Sequence, residues 1–208
     1  MSGLLFDAVK RALDVVFAAV VLIVSLPLQL IVAALVLVNL GRPVIFRQPR
    51  PGRSGKVFTL YKFRTMRPVD PAGGLPDDEA RLNGFGRLLR STSLDELPTF
   101  WNVLLGDMSL VGPRPLLVQY LDRYTPSQAR RHEVRPGVTG LAQVSGRNSV
   151  DWDERLQLDV KYVDGRSLRL DLWILWRTVA VVVRRDGISA EQHATMPEFR
   201  PGPRNADA

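Results

Sequence analysis

The 208-residue chain contains no cysteine. Disulfides, thiolate zinc sites and thiol catalysis are therefore excluded together. Histidine is nearly absent: His132 and His193 are the only two, too few for a histidine-rich metal centre. No charged residue occurs from 15 to 40, VVFAAVVLIVSLPLQLIVAALVLVNL, and no acidic residue from 41 to 67. Internal repeats and long low-complexity segments are also missing. The length suits one domain with a core, or one domain plus a membrane element.

The uncharged run is the longest feature present. At about 1.5 Å per residue, 26 residues make roughly 39 Å of helix, ample for a bilayer core of about 30 Å. It is too long for a cleaved signal peptide and lacks a small-residue cleavage site after it. A buried soluble helix seldom stays apolar all round for that length. Pro27 lies near its middle and Ser25 just before. Proline removes a backbone donor and crowds the preceding turn, and a serine can satisfy a freed carbonyl. Both flanks are basic, with Lys10 and Arg11 before and Arg42, Arg47, Arg50 and Arg53 after. Basic flanks favour the cytoplasmic side, so a helix that enters, breaks at Ser25 and Pro27 and returns accounts for both ends. An ordinary kinked span is the simpler alternative.

The formal net charge is +7. Nucleic acid, an anionic membrane surface and a phosphorylated substrate are all partners for such a balance. The charge is concentrated in GRPVIFRQPRPGRSGKVFTLYKFRTMR, residues 41 to 67, with eight Lys or Arg directly after the apolar run. The interleaved aromatics and recognisable motif of a nucleic-acid binder are not there.

Beyond this block the elements are short. VIFRQ and KVFTLYKF flank RPGRSG and predict a β-hairpin. Residues 68–77 read as a Pro/Gly-rich loop. Residues 78–90 predict an amphipathic helix, and a second helix is expected from about Asp95 to Leu105, stopped by Gly106. Residues 135–148 read as a loop, 151–163 as a helix. Residues 171–185, with Trp173 and Trp176, read as either a core helix or one lying in the membrane interface. The tail from Arg200 is Pro-rich and reads as disordered. The fold expected is α+β and mainly helical, divided into a membrane helix-break-helix at 1–41, a catalytic domain at 42–199 and a tail at 200–208.

The chemistry points to one segment, LLRSTSLDELPTFWNVLLGDMSLVGPRP, residues 88–115. Ser93-Leu94-Asp95-Glu96 fits a capping box, in which the acids cap a helix and favour its dipole. Capping leaves Arg90 and Arg114 unexplained. A helix start also attracts phosphate, and an ionised aspartate beside arginines is a fair nucleophile toward phosphorus. A neighbouring carboxylate suits Mg²⁺, which takes one or two carboxylates plus substrate phosphates, and arginines clamp phosphate oxygens in pairs. Asp107 reads as a second metal ligand or, more simply, as a turn residue.

Several segments together resemble the small monotopic phosphoglycosyltransferases, the bacterial sugar transferase family. They are KRALDVV at 10–16, the Ser-x-Pro at 25–27, YKFRTM at 61–66, RSTSLDELP at 90–98, NVLLGDMSLVGPRPLL at 102–117 and RPGVTGLAQVSGRN at 135–148. The tail DGISAEQHATMPEF, 186–199, further resembles members of N-glycosylation pathways that prefer diacetamido-bacillosamine. The resemblance implies transfer of a sugar-1-phosphate from a UDP-sugar to undecaprenyl phosphate with release of UMP. This is the first membrane step of glycoconjugate assembly, at the cytoplasmic face of a bacterial inner membrane, with downstream glycosyltransferases as further partners. It makes Asp95 the nucleophile of a phosphosugar-enzyme intermediate and Glu96 a Mg²⁺ ligand. It sets Lys62, Arg64, Arg90 and Arg114 around the phosphates and Arg147 near the nucleotide sugar. Many members have Ser and Pro adjacent, whereas Leu26 separates them here. Two other readings remain: a membrane-anchored basic module without catalysis, and a membrane-anchored phosphatase whose aspartyl-phosphate ends on water.

Overall fold

The structure, a computed structural model, describes residues 3–68, 78–146, 151–184 and 198–199. It begins with one helix, α1, Gly3–Leu40, that contains Pro27. The backbone is helical across Pro27, where a break into two arms was expected. Ser25 Oγ donates to Val21 O at 2.5 Å and accepts from Gln29 Nε2 at 2.9 Å, so side chains supply polar contacts around the turn where proline has no N–H to give. Among the described residues α1 is the one helix long and apolar enough to cross a membrane.

A hairpin follows, β1 Ile45–Pro51 and β2 Val57–Phe63, paired antiparallel from Ile45 opposite Phe63 to Pro51 opposite Val57. Strand β1 runs further into the basic stretch than expected, and Ser54, at φ 55, and Gly55, at φ 74, make the turn. The amphipathic stretch near 78–90 is two helices, α2 Asp78–Arg81 and α3 Gly84–Ser91. Asn83 separates them because its side chain accepts from Gly86 N at 2.8 Å and caps α3. The helix expected from Asp95 is also divided. A single 3-10 turn holds Leu94–Glu96, and α4, Thr99–Leu105, begins after Pro98. Gly106 ends α4 at φ 91, a left-handed conformation that glycine adopts without strain.

The chain then crosses the body as β3, Ser109–Val111, and after α5, Pro126–Ala129, returns as β4, Gly137–Thr139, parallel to β3. With α6, Leu141–Ser145, β4 corrects the expectation of a loop at 135–148. The strand lies so close to its neighbour that a Cβ on Gly137 would meet Gly112 N at 2.1 Å. Helices α7, Trp152–Gly165, and α8, Leu168–Arg184, complete the body. Asp151 caps α7 through Glu154 N at 2.7 Å. Residues 69–77 of the loop expected at 68–77, Arg147, residues 186–197 of the 186–199 segment and the tail from Arg200 lie outside the described residues.

The largest core joins Ala18 of α1 to Val103, Met108, Val111, Tyr162 and Ile174. A second core gathers Val32, Val36 and Leu40 from the other end of α1 with Phe63 and Leu89. Between them, residues 19–31 include no buried residue. Both ends of α1 are also bonded to the body. Lys10 Nζ donates to Asp171 Oδ2 at 2.6 Å, Arg11 to Val103 O at 2.7 Å and Leu104 O at 3.0 Å, and Leu110 N to Asp14 Oδ1 at 3.1 Å. A third cluster seats Phe199, 2% exposed, against Tyr120, Tyr124 and Trp152.

Candidate active site

Strand β2 and helix α4 face each other, and the side chains of α4 take the place of a third strand. Tyr61 N donates to Asn102 Oδ1 at 3.1 Å, Asn102 Nδ2 to Thr59 O at 2.7 Å and Thr99 Oγ1 to Tyr61 O at 2.9 Å. Asn102 is fully buried. Buried strand-edge groups need such partners, and meeting that need locks the register of β2 against α4. Lys62 is thereby held opposite the 3-10 turn that carries Asp95 and Glu96. No sequence periodicity marks Thr99 and Asn102 for this work; their polar side chains one turn apart on an apolar helix are the only signal.

The carboxylate turn is entered through Ser93, a non-glycine residue at φ 55, whose side chain makes no cap bond. The capping box expected from Ser93 and Glu96 is therefore not formed: a left-handed residue aims its side chain away from the following N–H groups. Freed from capping, Glu96 receives Lys62 Nζ at 2.5 Å and Arg114 Nη2 at 3.1 Å, both on Oε1. Asp95 is buried beside it. Burial, and then the Glu96 charge, raise the Asp95 carboxyl from 3.8 to about 6, against the opposing pull of Lys62, Arg90 and Arg114. Burial works in the same upward direction on Glu96, but Lys62 and Arg114 outweigh it by charge and hydrogen bonding and hold that carboxyl far down, near 2. The pair is thus split by its surroundings, the pattern that separates chemical roles among carboxylates.

Arg114 comes from the Gly-Pro-Arg-Pro turn after β3. Behind it, Arg131 donates from Nη2 to Arg114 O at 2.7 Å and pairs with Asp159 at 2.7 Å. That pair is buried, with side chains 1% and 3% exposed. Arg90, on α3, acts on Asp95 by charge and donates from Nε to Thr65 Oγ1 at 3.0 Å. The structure thus brings together Lys62, Arg90, Asp95, Glu96 and Arg114 from the expected set. Arg64 stands elsewhere: its guanidinium donates to Leu40 O, to Gly41 O at 2.6 Å and to Arg42 O at 3.0 Å, and it is not among the charges acting on Asp95. Its expected place among the phosphate binders is corrected on that account, since both terminal nitrogens already serve the end of α1. Ser25 and Pro27 are in the uncovered stretch of α1, away from this cluster.

One member was missed. Arg50, read from the sequence as a membrane-flank charge, lines the same open cleft as Lys62, Glu96, Thr99 and Arg114. It donates to Pro115 O at 3.2 Å and to Gln48 Oε1 at 2.6 Å. Burial, reinforced by Arg114, lowers its guanidinium to about 10. The absence of any acid from 41 to 67 was its one trace in the sequence. Asp107 lies past the far end of α4 from Glu96, about 10 Å of helix away, where its N–H donates to Asn102 O at 3.1 Å. It is a turn residue.

Two adjacent carboxylates with hard oxygen donors suit Mg²⁺, which binds through one or two carboxylates and completes its shell with water or phosphate oxygens. Only one Glu96 oxygen, Oε1, is taken by Lys62 and Arg114, so the donor set fits such an ion. Lys62, Arg50 and Arg114 line the cleft with Glu96, and Arg90 acts on the neighbouring Asp95 by charge, a surplus of positive charge around the carboxylate pair. One fold thus carries a membrane-length apolar helix and a carboxylate pair ringed by basic side chains, a combination that suits the class of membrane-associated enzymes.

The chain belongs to the bacterial sugar transferase family, whose profile matches residues 5–185. It is 51% identical over 191 residues to the Bacillus subtilis protein named "Uncharacterized sugar transferase EpsL", covering 91% of this chain and 95% of that one. It is 42% identical over 196 residues to the undecaprenyl-phosphate galactose phosphotransferase of Salmonella typhimurium, covering 86% of this chain but 41% of that protein. A Klebsiella pneumoniae protein named UDP-glucose:undecaprenyl-phosphate glucose-1-phosphate transferase is 41% identical over 181 residues, 82% of this chain and 39% of its own. The chain thus spans nearly all of the Bacillus relative and about two-fifths of the other two.

Proposed function

We propose that this enzyme transfers a sugar-1-phosphate from a UDP-sugar to undecaprenyl phosphate and releases UMP. The observation that carries the reading is the split carboxylate pair: Asp95 buried beside a Glu96 that is held by Lys62 and Arg114. A carboxylate at about 6 is ionised at neutral pH and remains more basic than an ordinary aspartate, which suits a nucleophile. An Asp95 oxygen attacks the phosphorus that bears the sugar. The bond from that phosphorus to the UMP oxygen breaks, and UMP leaves with the electron pair. An oxygen of undecaprenyl phosphate then attacks the same phosphorus, and the bond to Asp95 breaks. Lys62, Arg90, Arg114 and Arg50 hold phosphate oxygens through both steps. Mg²⁺ bound at Glu96 supplies charge neutralisation for the diphosphate.

The donor sugar is proposed to be N-acetylated, with diacetamido-bacillosamine first, on the resemblance of the 186–199 tail. A UMP-release screen over UDP-sugars, with and without undecaprenyl phosphate, tests the whole reading. Sustained UMP release that needs the polyprenyl phosphate supports it. Phosphate release without that acceptor favours the phosphatase reading, and inertness toward every UDP-sugar favours the non-catalytic one. UDP-galactose or UDP-glucose clearly outpacing acetamido sugars overturns the sugar assignment.

The proposed setting is the cytoplasmic face of the inner membrane, with α1 entering and leaving on the same side. Both ends of α1 are fastened to one body, and its longest stretch without a buried residue is 19–31. Thirteen residues make about 20 Å of helix, short of a bilayer core of about 30 Å. Trp101 and Leu105 of α4 and Leu172, Trp173, Trp176 and Val179 of α8 are exposed, the composition of helices lying in the membrane interface.

A further inference from the structure

Arg64 is a buried arginine whose position explains more than a helix cap. It sits in the run Lys62-Phe63-Arg64-Thr65, and each of these four residues reaches a different part of the molecule. Lys62 holds Glu96 at 2.5 Å. Phe63, 4% exposed, lies in the core that joins Val32, Val36 and Leu40 of α1 to Leu89 of α3. Arg64 grips the carbonyls of Leu40, Gly41 and Arg42, and its own N–H donates to Val44 O at 2.9 Å. Thr65 accepts from Arg90 Nε at 3.0 Å, and its carbonyl stands so close to α3 that a Cβ on Gly86 would meet it at 2.0 Å.

Lys62 and Phe63 close β2, and Arg64 and Thr65 follow directly, with Arg64 N still bonded to Val44 O at 2.9 Å, so a shift of Arg64 is passed along the backbone to Lys62, and Thr65 carries Arg90. Both of those groups act on the Asp95 charge. Of the three carbonyls gripped by Arg64, that of Leu40 is the last of α1 and those of Gly41 and Arg42 follow it, where intrahelical donors have run out. A planar fork with fixed donors holds such a set in one geometry, which a lysine ammonium does not. The other end of this linkage is the apolar helix, whose seating answers both to its packing against the body and to the bilayer around it.

We infer that Arg64 is a positioning residue: it transmits the seating of α1 in the membrane to Lys62 and Arg90, and so sets the geometry around Asp95. The activity part of this rests on the proposed function; the mechanical part does not.

The test uses the full chain in nanodiscs containing phosphatidylglycerol, comparing Arg64→Lys with the wild type. Amide hydrogen exchange should rise at least threefold in peptides covering 36–44 and also in 84–97, a segment Arg64 does not touch. With the cognate UDP-sugar, kcat should fall at least tenfold while KM for that sugar stays within threefold. Exchange rising only in 36–44, with kcat unchanged, would reduce Arg64 to a local cap and overturn the inference. If Arg64→Lys loosens the whole chain, Gly41→Ala decides in its place. Gly41 is at φ 76 and its Cβ would lie 3.8 Å from Arg64 Nη2, so the variant disturbs the same junction with the arginine intact. Exchange should again rise in both segments; a rise confined to 36–44 overturns the inference. Should the wild type release no UMP from any sugar, the proposed function fails, and the exchange measurements still decide this one.

Discussion

Asp95 is placed so that its ionisation works against folding and, in the proposed reaction, for chemistry. Its carboxyl rises from 3.8 to about 6 through burial and the Glu96 charge. A raised carboxyl gives stability that is complete below 3.8 and lost as pH climbs through about 6, so at pH 8 the ionised group costs up to about 3 kcal/mol. Asp95→Asn should raise the unfolding midpoint at pH 8, do little at pH 4 and lower turnover at least about 10³-fold. Paired thermal unfolding and UMP-release assays check this, and substantial activity in the variant would remove Asp95 as nucleophile. For the wild type, kcat/KM should fall tenfold per pH unit below about 6 and be flat just above it. Intact mass of enzyme with UDP-sugar alone should show a phosphosugar adduct on the peptide holding Asp95. Glu96 is expected to carry the metal response. Excess chelator should stop turnover and Mg²⁺ restore it, whereas Glu96→Ala should be slow and nearly insensitive to added Mg²⁺. Full activity in chelator would refute the metal role.

Helices and strands owe their positions here to single polar side chains. Asn102 is bonded to both Tyr61 N and Thr59 O, so Asn102→Ala leaves two strand groups without partners. That should cost about 2–4 kcal/mol, seen as a fall in the denaturant midpoint, and it should loosen Lys62 as well. Loss of less than 1 kcal/mol would mean that water replaces the side chain. The same dependence explains what could be read from the sequence. Periodicity over many residues marked α7, α8, the hairpin and the apolar helix, because each buries a long face. Strands β3 and β4 are three residues each, too short for any period to emerge, and their pairing is parallel between segments separated by α5. Asn83 and Pro98 divided two helices that looked continuous: Asn83 caps a new helix with its side chain, and Pro98 has no N–H to carry the preceding turn onward. At the site, Asp95, Glu96, Lys62, Arg90 and Arg114 were legible because charge inside an apolar stretch has few structural excuses. Arg50 and Arg64 were exchanged in role: both sit in a basic block, and only the strand register decides that one faces the cleft and the other faces the end of α1.

At the scale of the whole molecule, the prediction concerns sidedness. Single cysteines are clean probes in a chain that has none. Ser2→Cys and Ser54→Cys should both resist an impermeant thiol reagent added to intact cells and both react after lysis. Labelling of the Ser2 site from outside would show a crossing helix and end the re-entrant proposal. Replacing Pro27 and Ser25 together by leucine should move α1 toward a crossing. If both sites then stay protected, the proline is not what turns the helix. The attachment of α1 at both ends has a further consequence, for synthesis. A ribosome makes α1 before the body, and Lys10 waits for Asp171, 161 residues later, and Ala18 for Val103 and Ile174. During that interval, on the order of ten seconds or more at 5–20 residues per second, the most apolar segment of the chain has no partner of its own. In the proposed membrane setting the lipid would serve as its holding place, and the body would assemble onto a helix already in the membrane rather than deliver one there.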